Sequence, residues 1–305
     1  MDAVRKGAAP ALLDIIGGTP CVQLRRVAPA QTSVCAKLEL LNPGGSAADR
    51  IAAALIHAAE ADGTLQPGAT IIEATLGNTG IALAQACAGR GYKVIACMPE
   101  SMSLERRAVL KLWGATVELT PSELHLEGAK ARAKEIGAQL PGAWVMPQWD
   151  IERAADLYAR SLGAELVEQV RADGGRIDAF VAGIGTGASL KGAARALREA
   201  FPGVEIVAVA PAEPGPHRLQ GLAPRQDVLR VAAELGASVE EVSSPEAWAM
   251  KERLGREEGL LAGITSGAAV RAASRVAARR GPGARVYTVL WDTGERYFSL
   301  AERFR

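Results

Sequence analysis

The sequence predicts an α/β protein of two lobes, each a parallel-rich sheet covered by helices, and three observations predict it. Helical and strand-like segments alternate along most of the chain, the pattern of parallel sheets joined by right-handed crossovers. At 305 residues there is chain enough for two lobes of ordinary size, each with its own core. Apolar residues make up 49% and aromatic residues only 4%, a composition of aliphatic sheets and alanine-rich helices.

Taken in order, residues 1–20 read as a helical or irregular lead that closes on the turn Ile16-Gly-Gly-Thr-Pro20. Strands over 21–24 and 34–40 follow. The run Asn42-Pro-Gly-Gly-Ser46 is a turn that opens a helix over 46–62, with Ser46 and Asp49 spaced as a capping box. Alternation then continues: strand 70–73, helix 80–90, strand 93–98, helix 103–113, strand 116–119, helix 128–136 and a short strand near Val145. A second block holds one long helix over 153–170, strand 179–182, helix 188–200, strand 205–210, a Pro/Gly-rich loop over 211–224, a further αβ segment, helix 266–280 and strand 286–290. The Pro-Gln-Trp-Asp turn near residue 150 separates the two blocks.

The formal charge of +1 gives no global attraction to nucleic acid or to an anionic membrane, so a small molecule is the expected partner. No apolar stretch approaches the ~20 residues of a membrane span, and there is no long apolar leader near the start. Cys21, Cys35, Cys87 and Cys97 form no Cys-x-x-Cys pair and have no histidine at metal-ligand spacing, and three lie in apolar runs. Free buried thiols in a reducing cytoplasm are the expectation.

In open α/β sheets ligands bind beyond the carboxyl ends of the strands, and three glycine-rich loops stand there. Glu73-Ala-Thr-Leu-Gly-Asn-Thr-Gly80 can bring backbone amides to a carboxylate, or be an ordinary turn. Val181-Ala-Gly-Ile-Gly-Thr-Gly-Ala-Ser189 is a nest of N–H groups suited to phosphate, helped by the Thr186 and Ser189 hydroxyls. Gly183, Gly185 and Ala188 also meet the dinucleotide fingerprint, but the next strand lacks a clear acidic residue at its end for a ribose. Leu261-Ala-Gly-Ile-Thr-Ser-Gly267 reads as strand, glycine and helix, with hydroxyls that can cap the helix or meet a ligand.

The run Asn42-Pro-Gly-Gly-Ser-Ala-Ala-Asp-Arg50 closely resembles the Asn-Pro-x-x-Ser-x-Lys-Asp-Arg segment of the cysteine synthase (O-acetylserine sulfhydrylase) family of fold-type II, tryptophan synthase β-like, pyridoxal-phosphate enzymes. Ala48 stands where that pattern has its Schiff-base lysine. The other loops resemble the family's Thr-Ser-Gly-Asn-Thr-Gly, with Leu76 for the serine, and its phosphate cup Gly-Thr-Gly-Gly-Thr. Met98-Pro-Glu-Ser-Met-Ser-Leu-Glu-Arg-Arg107, Pro214-Gly-Pro-His-Arg-Leu-Gln-Gly221 and Asp292-Thr-Gly-Glu-Arg-Tyr297 extend the resemblance. Asp150-Ile-Glu-Arg153 and Arg160-Ser-Leu-Gly-Ala-Glu165 depart from it.

The resemblance implies β-replacement on an O-activated L-serine, with sulfide or another small nucleophile. It implies pyridoxal 5'-phosphate held by Asn78, by Gly185, Thr186, Gly187, Ala188 and Ser189, and by Thr265 at the ring nitrogen, with Ser266 the near alternative. A neutral hydroxyl there makes a milder electron sink than a carboxylate, which suits β-elimination and replacement. Thr75, Leu76, Gly77, Thr79 and Gln148 are implied for the amino-acid substrate. It further implies a homodimer, with residues 1–42 and 151–305 as the larger lobe, 43–150 as the smaller, and the cofactor between them. Alanine supplies neither nucleophile nor base, and loss of the base alone costs about 10² to 10⁴ in rate. The cofactor is then expected noncovalently bound or trapped as an external aldimine. Ala48 marks either a deliberate Lys-to-Ala variant, favoured by the retained loops, or a natural noncatalytic homolog that binds a metabolite or regulates a partner. Lys37, before the turn, is expected to be paired or solvated.

Overall fold

The computed structural model describes residues 9, 11–147 and 150–304. Strands β1 (Cys21–Leu24) and β2 (Ser33–Leu38) precede helix α1 (Ala48–Ala61). Then come β3 (Thr70–Ala74), α2 (Asn78–Ala88), β4 (Lys93–Pro99), α3 (Leu104–Leu112), β5 (Thr116–Thr120), α4 (His125–Gln139) and β6 (Trp144–Val145). Helix α5 (Ile151–Tyr158) runs through a π turn, Ala159–Gly163, into α6 (Ala164–Ala172). The rest is β7 (Ala179–Gly183), α7 (Ala188–Ala200), β8 (Glu205–Pro211), α8 (Arg225–Leu235), β9 (Ser238–Val242), α9 (Ser244–Glu258), α10 (Ile264–Arg280) and β10 (Arg285–Leu290).

The chain divides into two compact units. The first holds residues up to Gly18 and Leu41–Pro147, the second Thr19–Leu40 and Gln148–Arg305. The bounds differ from the expected 1–42 at both ends: the described residues up to Gly18, and Leu41 and Asn42, group with the first unit, where the Gly17 N–H donates to Asn42 Oδ1 at 2.9 Å.

The first unit is built on a four-stranded parallel sheet in the order β5-β4-β3-β6. Ile72, Ala74 and Cys97 meet Ala129 and Ala133 of α4 on one face of it. Helix α1 buries Ile51, Ala52, Leu55, Ile56 and Ala59, the three-to-four-residue spacing of a core-facing stripe. Its start differs from expectation. Ala47 is the N-cap, without a side-chain cap, because the Asp49 carboxylate turns back to accept the Gly44 N–H at 2.5 Å instead of closing a capping box on Ser46.

The second unit has a six-stranded sheet in the order β1-β2-β10-β7-β8-β9, with only β1 antiparallel to its neighbour. Strand β7 is buried over its whole length, as a central parallel strand covered on both faces must be. The helix expected over 153–170 is interrupted by the π turn. The third loop is not preceded by a strand: α9 leads into it, and Ala262 forms only a single bridge with Thr293. No helix among the described residues is long and apolar enough to cross a membrane.

Candidate active site

In the first unit, Ala48 is the first residue of α1 and Asn78 the first of α2, and the two helices pack on each other. The Thr75–Gly80 loop is shaped from within. The buried Thr75 Oγ1 accepts the N–H groups of Gly77, at 2.9 Å, and Gly80, at 3.0 Å. Gly77, at φ 133°, lies so close over Arg106 that a Cβ there would sit 2.2 Å from Arg106 Cδ. Thr75 and Gly77 are thus buried supports, while Leu76, Asn78 and Thr79 are partly exposed. Leu76 brings a branched apolar side chain and no hydroxyl. Ser46 Oγ is buried with no hydrogen-bond partner among the described residues.

In the second unit, β7 delivers the chain into Gly183–Gly187, and α7 starts on Gly187 in the left-handed region without a side-chain cap. Added side chains would collide here: a Cβ at Gly185 would sit 2.7 Å from the Gly221 carbonyl oxygen, and one at Gly183 2.6 Å from Leu222 Cδ2. The Ala223 N–H donates to the Ile184 carbonyl at 2.8 Å, stitching the 219–223 turn to this loop. That same turn reaches Thr265, since a Cβ at Gly221 would be 3.2 Å from Thr265 Cγ2. Gly185 and Thr265 therefore both lie against Gly221, and Thr186, Gly187, Ala188 and Ser189 lead on from Gly185 into α7. Backbone amides at the positive end of a helix, in a cradle of glycines with Thr186 exposed and Ser189 partly so, fit a phosphate ester, and the Thr186 Oγ1 takes a long bond from the Ala188 N–H at 3.4 Å.

Thr265 lies in the first turn of α10, which starts on Gly263. The neighbouring Ser266 is buried, and its Oγ accepts the Trp291 N–H at 2.9 Å. Gln148 lies outside the described residues. Lys37 does not stand free. Its buried ammonium ion-pairs with Glu165 at 2.8 Å and donates to the Thr19 carbonyl, at 2.8 Å, and to Gln169 Oε1, at 3.0 Å.

Three participants carried no assigned role in the sequence reading: Arg106 beneath Gly77, Gly221 between the phosphate loop and Thr265, and Glu73. Glu73 on β3 is fully buried, and neither carboxyl oxygen has a hydrogen-bond partner among the described residues. Burial alone drives its pKa well above the ordinary carboxyl range. Its signal in the sequence is a single acid in the apolar strand Thr70-Ile-Ile-Glu-Ala74.

Residues 12–292 match the family model described as pyridoxal-phosphate dependent enzyme. The chain belongs to the pyridoxal-phosphate dependent enzyme family. Within it, a cysteine synthase of Staphylococcus aureus (strain N315) is 44% identical over 297 residues, covering 94% of this chain and 95% of the relative. A crystal structure of a lysine-to-alanine mutant of O-ureido-L-serine synthase with O-ureido-L-serine bound superposes with TM-score 0.88 at 37% identity, covering 96% of this chain and 93% of that one. The O-acetylserine dependent cystathionine beta-synthase of Helicobacter pylori gives TM-score 0.88 at 33% identity, with 96% and 98% covered. For this pyridoxal-phosphate dependent fold, the glycine cradle is the feature that fits the cofactor's phosphate.

Proposed function

We propose that this chain has the machinery of a β-replacement enzyme that acts on an O-activated L-serine with sulfide or another small nucleophile, and that it stands disabled at Ala48 as a Lys-to-Ala inactivated variant. One observation carries the reading: the glycine cradle before α7 and the Thr265 side chain both lie against Gly221. The relatives support it, being a cysteine synthase and two structures named for serine-derived substrates.

Each group then has a task. Amides from Gly185 to Ser189 bind the cofactor's phosphate, aided by the Thr186 and Ser189 hydroxyls. Thr265 offers a neutral hydroxyl to the ring nitrogen, and Asn78 hydrogen-bonds the ring hydroxyl. Amides of the Leu76–Thr79 stretch other than Gly77, together with Gln148, hold the substrate carboxylate, while the Thr75 oxygen and the Gly77 N–H are committed to shaping that loop. When bound, pyridoxal phosphate supplies the electron sink that acidifies the substrate's Cα proton. Ala48 has neither an amine to hold the cofactor covalently nor a base to take that proton. Four free cysteines agree with a cytoplasmic setting, and the family resemblance supports a homodimer.

Leu76 and the departures at Asp150–Arg153 and Arg160–Glu165 favour a second reading, since they reach beyond a single changed lysine: a natural noncatalytic relative that binds a metabolite. One titration separates the two. Pyridoxal phosphate is added to the Ala48→Lys protein, then O-acetyl-L-serine, with the visible spectrum followed beside that of the parent. The first reading expects a band of covalently bound cofactor in the variant alone, and its shift on adding the substrate. A variant that binds cofactor without that band, or whose band ignores the substrate, gives the lead to the second.

A further inference from the structure

No ligand-binding task falls to the turn Trp291–Gly294, yet three hydrogen bonds tie it to the start of α10, two of them making the antiparallel Ala262–Thr293 bridge. The Gly263 N–H donates to the Asp292 carbonyl at 2.9 Å, the Gly294 N–H donates to the Leu261 carbonyl at 3.0 Å, and the Trp291 N–H reaches Ser266 Oγ. Within the turn, the fully buried Asp292 carboxylate accepts the Tyr297 hydroxyl at 2.6 Å, and Tyr297 is itself 1% exposed.

This pair lies flush against the helix. A Cβ at Gly263, the N-cap of α10, would be 1.9 Å from Asp292 Oδ1 and 2.7 Å from Tyr297 Cε2. Burying a carboxylate is costly unless it is hydrogen-bonded. Here the charge is placed beside the positive end of α10, whose N-cap has no side chain of its own. The arrangement fixes the phenol, the carboxylate and the helix start as one block, and Thr265 is two residues beyond that N-cap.

We propose that Asp292 and Tyr297 are positioning residues: their buried pair locks the first turn of α10 so that the Thr265 hydroxyl is held where the cofactor's ring nitrogen meets it. The inference rests on the role given to Thr265 above. Tyr297→Phe keeps the ring and removes the hydrogen bond, which frees the turn to shift.

The test is a double-mutant cycle read by equilibrium dialysis of pyridoxal 5'-phosphate against the protein as it stands, with circular dichroism of the bound cofactor as a second readout. Tyr297→Phe is expected to weaken binding about fivefold, since only part of the lost hydrogen bond is felt at Thr265, and to change the cofactor's dichroism in the same sense as Thr265→Val. In the Thr265→Val background, Tyr297→Phe should change neither. Equal weakening in both backgrounds, or none in the parent, overturns the inference, because the pair then acts on the fold at large or on nothing. If Thr265→Val alone leaves binding and dichroism unchanged, or the parent binds no cofactor, the role of Thr265 falls first and the inference with it. Should Tyr297→Phe fail to fold, Asp292→Asn, which keeps an acceptor and removes its charge, enters the same cycle with the same criteria.

Discussion

Glu73 illustrates what one side chain contributes at the residue scale. Its pKa is raised in the folded protein by burial alone, so the folded state holds a proton that the unfolded chain releases in the ordinary carboxyl range. The sign follows from that. Stability is greatest below the unfolded pKa and drains as pH rises toward the folded one. Glu73→Gln, similar in shape and without a charge, should raise the urea midpoint at pH 7 and flatten its decline between pH 5 and 7. An unchanged midpoint and slope would mean that Glu73 is solvated or paired. The residues proposed for chemical roles were readable at this scale, because Asn78, Thr186 and Thr265 stand in loops whose composition announces them. Glu73 and Arg106 were not assigned, since being buried without a partner, or lying beneath a glycine, leaves no mark on composition. Ala48 was readable only against the pattern around it.

At the scale of elements, α7 carries the phosphate cradle at one end, and its middle is set by contact with the α5–α6 rod. A Cβ at Gly192 would be 2.3 Å from the Ala155 carbonyl oxygen and 2.7 Å from the Ala159 nitrogen, and one at Gly163 would be 2.8 Å from Ala196 Cβ. Replacing glycine by alanine inside a helix ordinarily stabilises by roughly 0.5–1 kcal/mol. Here the sign should reverse. Gly192→Ala is expected to cost about 1–3 kcal/mol by overpacking and to weaken phosphate binding at the proposed cradle one turn away, at the start of α7. Gly203→Ala, with nothing within 4 Å of the added carbon, should stay within about 0.5 kcal/mol of the parent in the same denaturation experiment. The π turn at Ala159–Gly163 sits on the facing side of this contact, in one of the stretches that depart from the family pattern. Helix periodicity located the rod but not the turn, because one widened turn shifts the apolar stripe by a single residue within a pattern that remains helical.

The whole molecule was legible in outline: alternating elements, two units, parallel sheets. What alternation could not tell was the assignment of the lead, because a hydrogen bond between Gly17 and Asn42 has no periodicity to betray it. Nor could it foresee that α9 leads into the third loop. The ion pair of Lys37 belongs to this scale too, since it ties β2 to α6 across 128 positions of sequence. Lys37→Met should cost about 3 kcal/mol, at the lower end for a broken buried pair because Glu165 keeps some solvent. Combining it with Glu165→Leu should recover part of the loss, and full additivity in a thermal melt would contradict the pairing.

The seat of β2 beside β10 also constrains the order of events as the protein is made. Residues 33–38 pair in parallel with 285–290, so the sheet of the second unit waits for a strand translated some 250 positions later. The first unit ends at Pro147, so it is expected to condense while the rest is still being synthesised. During that interval β2 has a hydrogen-bonding edge without its partner, a template for wrong pairing. A nascent chain halted before residue 285 should therefore protect the amides of β3 and β4 from exchange while leaving those of β2 open.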